Sequence, residues 1–106
     1  MKRLVVICQT APGGKRRLAE EAFRLAAGLS ATGRFQLDFV LQQGALLLLE
    51  PEFGGSPSSW ESLHSPQTQV YVPSGFSRSI SGLSLHNLPE GALEKFTHGA
   101  DLVLRF

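Results

Sequence analysis

The chain holds a single cysteine, Cys8, directly after the apolar run Leu4-Val5-Val6-Ile7. A thiol does chemistry as its thiolate, which needs exposure and either positive charge or a helix N-terminus nearby. The β-branched neighbours of Cys8 instead describe a buried strand, where a thiol serves as a small hydrophobe. Its place near the carboxyl end of that strand keeps the reactive alternative open, because open α/β sheets bind ligands at that edge. A lone cysteine also excludes an internal disulfide framework.

Pro12-Gly13-Gly14-Lys15, following the strand, has the flavour of a phosphate loop. A P-loop needs Gly-x-x-x-x-Gly-Lys-Ser/Thr; here the leading glycine is missing and Arg16 stands where the magnesium-binding hydroxyl belongs. Gly13, Gly14, Lys15 and Arg16 are therefore a candidate for weak anion binding at a helix N-terminus, and otherwise an ordinary turn. His64, His86 and His98 are widely separated and lack ligand spacing, so no metal site is expected. Pro73-Ser74-Gly75 lacks the leading glycine of a nucleophile elbow and a convincing triad. No pattern calls for a cofactor. Phe53 and Trp60, in a poorly patterned stretch, are candidates for interface anchors or for packing over the sheet.

The elements that must position these residues follow from periodicity. Leu4 to Cys8 is apolar on both faces, as an inner parallel strand would be. Leu18, Ala22, Leu25, Ala26 and Leu29 mark one face of a long helix, and Gly33 is placed to end it in a left-handed turn. Lys15-Arg16-Arg17 reads as the solvated first turn of that helix. Phe35 to Leu41 is a second strand, interrupted by Asp38, so strand, helix, strand form a βαβ unit with a parallel pair. Gln42-Gln43-Gly44 is a turn, and Ala45 to Glu50 an apolar helical piece. Ser58 or Ser59 is placed to cap a short helix through Trp60 and Leu63. Val70 to Val72, a short strand near Leu83 to Leu85, a helix over Ala92 to Thr97 and a strand over Asp101 to Phe106 complete the pattern.

With 106 residues, the chain has the size of a single domain that buries roughly two-thirds of its unfolded surface. Charged residues are 18% of the chain, below the usual quarter or so, which suits a surface partly covered by partner subunits. A net charge of +1 offers no long-range attraction to nucleic acid. No apolar stretch approaches the ~20 residues of a membrane span, and the apolar run that stops at Cys8 is not a signal peptide. The expected location is the cytoplasm.

Three segments carry a resemblance. Met1-Lys2-Arg3, an apolar strand and Thr10-Ala11-Pro12-Gly13 resemble the start of TusC/DsrF subunits of the sulfur-relay family. Phe39-Val40-Leu41-Gln42-Gln43-Gly44-Ala45 is similar to that family's strand-to-glycine-to-helix step. Asp101-Leu102-Val103-Leu104-Arg105-Phe106 is similar to its closing strand, and Val70-Tyr71-Val72 followed by Arg78 is a fainter match. Residues 52–68 match nothing and look shortened.

The resemblance implies a three-layer α/β/α DsrE-like domain with a mainly parallel, about five-stranded sheet. It implies partnership with TusB-like and TusD/DsrE-like subunits in a hetero-oligomer that passes a persulfide, for example toward tRNA 2-thiouridine. The family's transfer cysteine lies at the end of a later strand; the corresponding window here, Val72-Pro73-Ser74-Gly75, contains none, and a hydroxyl forms no persulfide. The expectation is thus a non-catalytic subunit. The alternatives are a homo-oligomer that carries sulfur on Cys8, or a protein that binds a small anion at the Gly13–Arg16 turn.

Overall fold

The computed structural model describes residues 1–50, 60–63, 65–76 and 84–106. In chain order it contains β1 (Lys2–Cys8), α1 (Leu18–Thr32), β2 (Phe35–Leu41), a 3-10 helix (Gln43–Leu49), a 3-10 turn (Glu61–Leu63), β3 (Thr68–Pro73), β4 (Leu85–Leu88), α2 (Leu93–Thr97) and β5 (Leu102–Arg105). The strands form one sheet in the order β4-β3-β2-β1-β5. Every pairing is parallel. The α/β class and the five parallel strands expected from the sequence are what the structure shows. β1 is an inner strand, between β2 and β5, as its unbroken apolar run requires.

Side chains of a strand alternate between faces, so each strand serves two cores. On the first face Leu4, Val6 and Cys8 of β1, Leu37, Phe39 and Leu41 of β2, and Val70 and Val72 of β3 pack under α1, the 3-10 helix and Trp60. On the second face Val5, Ile7, Val40 and Leu88 pack against Tyr71, Phe96 and Val103.

The stripe that α1 buries is Ala19, Ala22, Ala26 and Ser30. Leu18, Leu25 and Leu29, expected on the buried face, flank it half-exposed. Small residues win the contact because they let the helix backbone lie close to the sheet. Ser30 also bonds the Thr68 hydroxyl at 2.8 Å, tying α1 to β3. Gly33 closes the helix at φ 66° with its N–H on the Ser30 carbonyl, as its position predicted. At the other end the helix starts only at Leu18, with Arg17 in left-handed geometry before it. Lys15, Arg16 and Arg17 therefore lie in the exposed turn ahead of the helix, not in its first turn.

Trp60 is not an exposed anchor in this chain. It is fully buried, with its ring 4.7 Å from Phe23 edge-on and 6.2 Å from Phe39. Burial of so large a ring between α1 and the sheet takes a large apolar surface out of water. Phe53, Ser58, Ser59, His64 and Arg78 lie outside the described residues.

The second face is held differently. Arg3 donates from Nε to Asp38 at 2.9 Å and from its terminal nitrogens to the carbonyls of Phe96 (2.7 Å) and His98 (3.4 Å). Its guanidinium also lies 4.8 Å from the centre of the Phe96 ring. The Asp101 carboxylate accepts from the Arg3 N–H at 2.7 Å. One arginine thus fixes the end of α2 and the entry to β5.

Candidate functional site at the carboxyl edge of the sheet

All five strands end at one edge, and the three segments that carry the family resemblance converge on its centre. The Gln42 N–H donates to the Cys8 carbonyl at 3.0 Å, and the Gln9 side chain donates to that of Gln42 at 2.8 Å. Gln9 N–H bonds the Phe106 carbonyl, and Phe106 N–H bonds that of Ile7. Gly44 lies directly on the Thr-Ala-Pro turn: a Cβ there would sit 2.9 Å from the Ala11 methyl and 3.0 Å from the Ala11 nitrogen. Glycine is needed at this step for close approach of two backbones.

A cleft of about 420 Å³ opens at this edge, lined by Gln42, Gln43, Pro73, Ser74, Leu88 and Glu90. Its origin is topological. The chain leaving β2 turns to the first face as the 3-10 helix, whereas the chain leaving β4 turns to the second face as α2. Loops diverging to opposite faces leave a crevice between them, lined from β3 by Pro73 and the exposed Ser74 that follows it. Gln43 enters the cleft from a left-handed backbone at φ 53°. Its polar side chains are two amides, a hydroxyl and a carboxylate, beside the apolar Pro73 and Leu88. They donate and accept hydrogen bonds, and no thiol stands among them.

Cys8 is at the same edge but turned into the first core, with none of its surface exposed. Its Sγ lies 3.7 Å from the Thr10 carbonyl. Burial pushes its pKa up, the Glu20 charge adds to this, and the Thr10 backbone opposes it. A thiol so placed stays protonated and out of reach of another sulfur.

The Gly13–Arg16 turn is filled from within. The Gly13 N–H donates to the Glu20 carboxylate at 3.1 Å, and Arg17 Nε approaches the same oxygen at 3.4 Å. Partial desolvation raises the Glu20 pKa, but the bonds from Gly13, its own backbone and Arg17 outweigh it and hold the pKa below the usual carboxylate value. The chain's own carboxylate occupies the place an incoming anion would take. Lys15 and Arg16 remain exposed.

His86 is exposed, with its ring 5.3 Å from that of Tyr71, and His98 is exposed at the end of α2. Among the described residues no three His, Cys, Asp or Glu side chains gather in a way that could hold a metal ion. No helix among them is long and apolar enough to cross a membrane.

Sequence reasoning singled out Ser74 through the cysteine window but did not connect it with Gln42, Gln43 and Glu90. The usable signal was the rule that strand ends on one sheet edge meet. Applied to β2, β3 and β4 together, it brings these residues into one place.

The sheet order, the parallel strands and the helices on both faces define an open, all-parallel α/β fold. The crystal structure of the YchN protein from E. coli is similar to it over the whole of both chains, with a TM-score of 0.74 and 22% sequence identity. At that identity the likeness is one of fold. No protein-family model matches the chain, and no curated protein matches it significantly.

Proposed function

We propose that the chain is a sulfur-relay protein of the TusC/DsrF kind, a subunit that carries no sulfur itself and positions a cysteine-bearing DsrE-like partner. The observation that carries this reading is the exchange of roles at the carboxyl edge. The open cleft presents Ser74 where a transfer cysteine is expected, while the thiol the chain does possess is sealed in the core. Persulfide transfer requires a thiolate that can attack a sulfur and leave again. Cys8 offers neither access nor ionisation, so the chemistry belongs to a partner. The hetero-oligomer would contain TusB-like and TusD/DsrE-like subunits in the cytoplasm, with tRNA thiolation as a fitting end use.

The test is co-purification of the tagged chain from its native host, with the mass of the intact complex determined. The expected outcome is an assembly containing a DsrE-like partner with an accessible cysteine. Recovery without such a partner overturns the reading. A parallel measurement addresses Cys8: alkylation of the native chain should run at least about a hundredfold slower than in denaturant. Comparable rates would return Cys8 to the position of sulfur carrier.

A further inference from the structure

The cleft at the carboxyl edge holds one charged group, the exposed carboxylate of Glu90, and no cation among the described residues lines it. An anion entering it would meet that charge with nothing beside it to offset the repulsion. The other polar groups come from Gln42, Gln43 and Ser74, and the apolar ones from Pro73 and Leu88.

These groups are held in place. The side-chain oxygen of Gln42 accepts from Gln9 at 2.8 Å, which leaves the NH2 of Gln42 to donate elsewhere. The Pro73 carbonyl accepts from the Asn87 side chain at 3.1 Å and from the Phe76 N–H at 3.2 Å. Those two bonds fix the turn that carries Ser74 and tie it to β4. Gln43 stands in left-handed backbone at φ 53°, which only Arg17 shares among the described residues other than glycine. Glycine would take that backbone without strain, yet a long amide side chain stands there and lines the cleft.

Three requirements on a ligand follow. It needs an acceptor for the Gln42 NH2, an apolar stem to lie along Pro73 and Leu88, and a cationic head to meet Glu90. A basic residue within a peptide has all three, in its main-chain carbonyl, its methylene stem and its charged end. Arginine satisfies the cleft better than lysine. Its fork of five N–H donors can bond the Glu90 carboxylate and still reach the Ser74 hydroxyl and the Gln43 side-chain oxygen. A volume of about 420 Å³ is in the ordinary range of pockets that hold small ligands.

We propose that this cleft receives an arginine carried on a loop of the cysteine-bearing partner. The identity of the partner rests on the function proposed above; the chemistry of the cleft does not. With a hydroxyl at Ser74 and no thiol in the lining, the cleft holds the loop without reacting with it.

The first experiment is an NMR titration of the full chain with acetyl-arginine methylamide. Its uncharged analogue of the same shape, acetyl-citrulline methylamide, serves as the control. The arginine probe should shift the backbone N–H signals of Gln43, Ser74 and Glu90, and the citrulline probe should bind at least fivefold more weakly. Glu90→Gln should bring the arginine probe down to the level of the citrulline probe. Equal binding of the two probes, or no shift at the cleft, overturns the proposal.

The second experiment is capture of the partner by the tagged chain. Glu90→Arg sets like charge against the incoming arginine and should lower capture at least tenfold. Glu90 is exposed, so the variant should keep the fold, which an unchanged unfolding midpoint would verify. Equal capture by wild type and Glu90→Arg overturns the docking and leaves the subunit reading standing. Binding of the arginine probe at the cleft with no partner captured by wild type overturns the subunit reading and leaves the chemistry of the cleft standing.

Discussion

The two faces of the sheet are closed by different means. The first lies under a fifteen-residue helix, a 3-10 helix and a buried tryptophan, apolar at the contact except for the Ser30–Thr68 bond. The second lies in part under α2, a helix of five residues, none of them fully buried. A helix that short is unstable alone, and here it has little area to bury. Arg3 makes up the deficit with two bonds to the carbonyls at its end and one to Asp38 beneath it. Where a large element covers a sheet, dispersion and water exclusion suffice. Where a small one does, a polar hub has to fix it.

The largest expected effect tests the first face. Trp60→Ala should destabilise the chain by about 3–5 kcal/mol in urea unfolding, because the ring is wholly buried between Phe23 and Phe39. A loss below about 1 kcal/mol would mean that the first face closes without it.

The second face should yield next. Arg3→Ala leaves the Asp38 carboxylate, 2% exposed, without its partner. Such a loss reaches 3–5 kcal/mol in a fully buried pair; with Arg3 partly exposed, about 2–3 kcal/mol is expected. The double variant Arg3→Met/Asp38→Leu sharpens the contrast. It should recover most of that stability while amide exchange in α2 stays fast, since the bonds to the helix end are gone. If exchange in α2 is unchanged, Arg3 is not its anchor.

Gly44→Ala addresses the edge where both faces meet. Its new methyl would lie 2.9–3.1 Å from Ala11 atoms, two of them backbone, so the turn must move. A cost of about 1–3 kcal/mol is expected, read as a lowered unfolding midpoint.

The smallest effect concerns pH. The folded-state pKa of Glu20 is depressed, so its carboxylate adds stability above the ordinary carboxylate range and loses it as pH falls through the folded value. Glu20→Gln should accordingly be less stable than wild type at neutral pH, with the gap narrowing in acid. A gap independent of pH would show that the charge on Glu20 is immaterial.

Sequence periodicity was enough to locate β1, α1 and β2, because glycine or charge bounds each of them, although the face that α1 buries is the alanine stripe and not the leucines. β4 was expected near Leu83–Leu85 and is found at Leu85–Leu88. As an edge strand it exposes His86 and Asn87, which erases the apolar signal that would have located it. The apolar piece after Gln42 proved to be a 3-10 helix starting at Gln43, a distinction that composition does not encode. Asp38 stood out as a break in an apolar strand, yet its partner is 35 positions away and only pairing of β1 with β2 brings them together. The cleft was unreadable for the same reason: Gln43, Ser74 and Glu90 are neighbours only once three strand ends share an edge.

The pairing of β5 with β1 has a consequence for how the chain is made. Leu102 docks beside Leu4, a residue synthesised 98 positions earlier. At about 5–20 residues per second, β1 waits roughly 5–20 seconds on the ribosome for that neighbour. During that interval β1, with its apolar run from Leu4 to Cys8, can have β2 on one side while its other side lies bare. A cell that slows translation late in this message lengthens the time for which that edge stays unpaired.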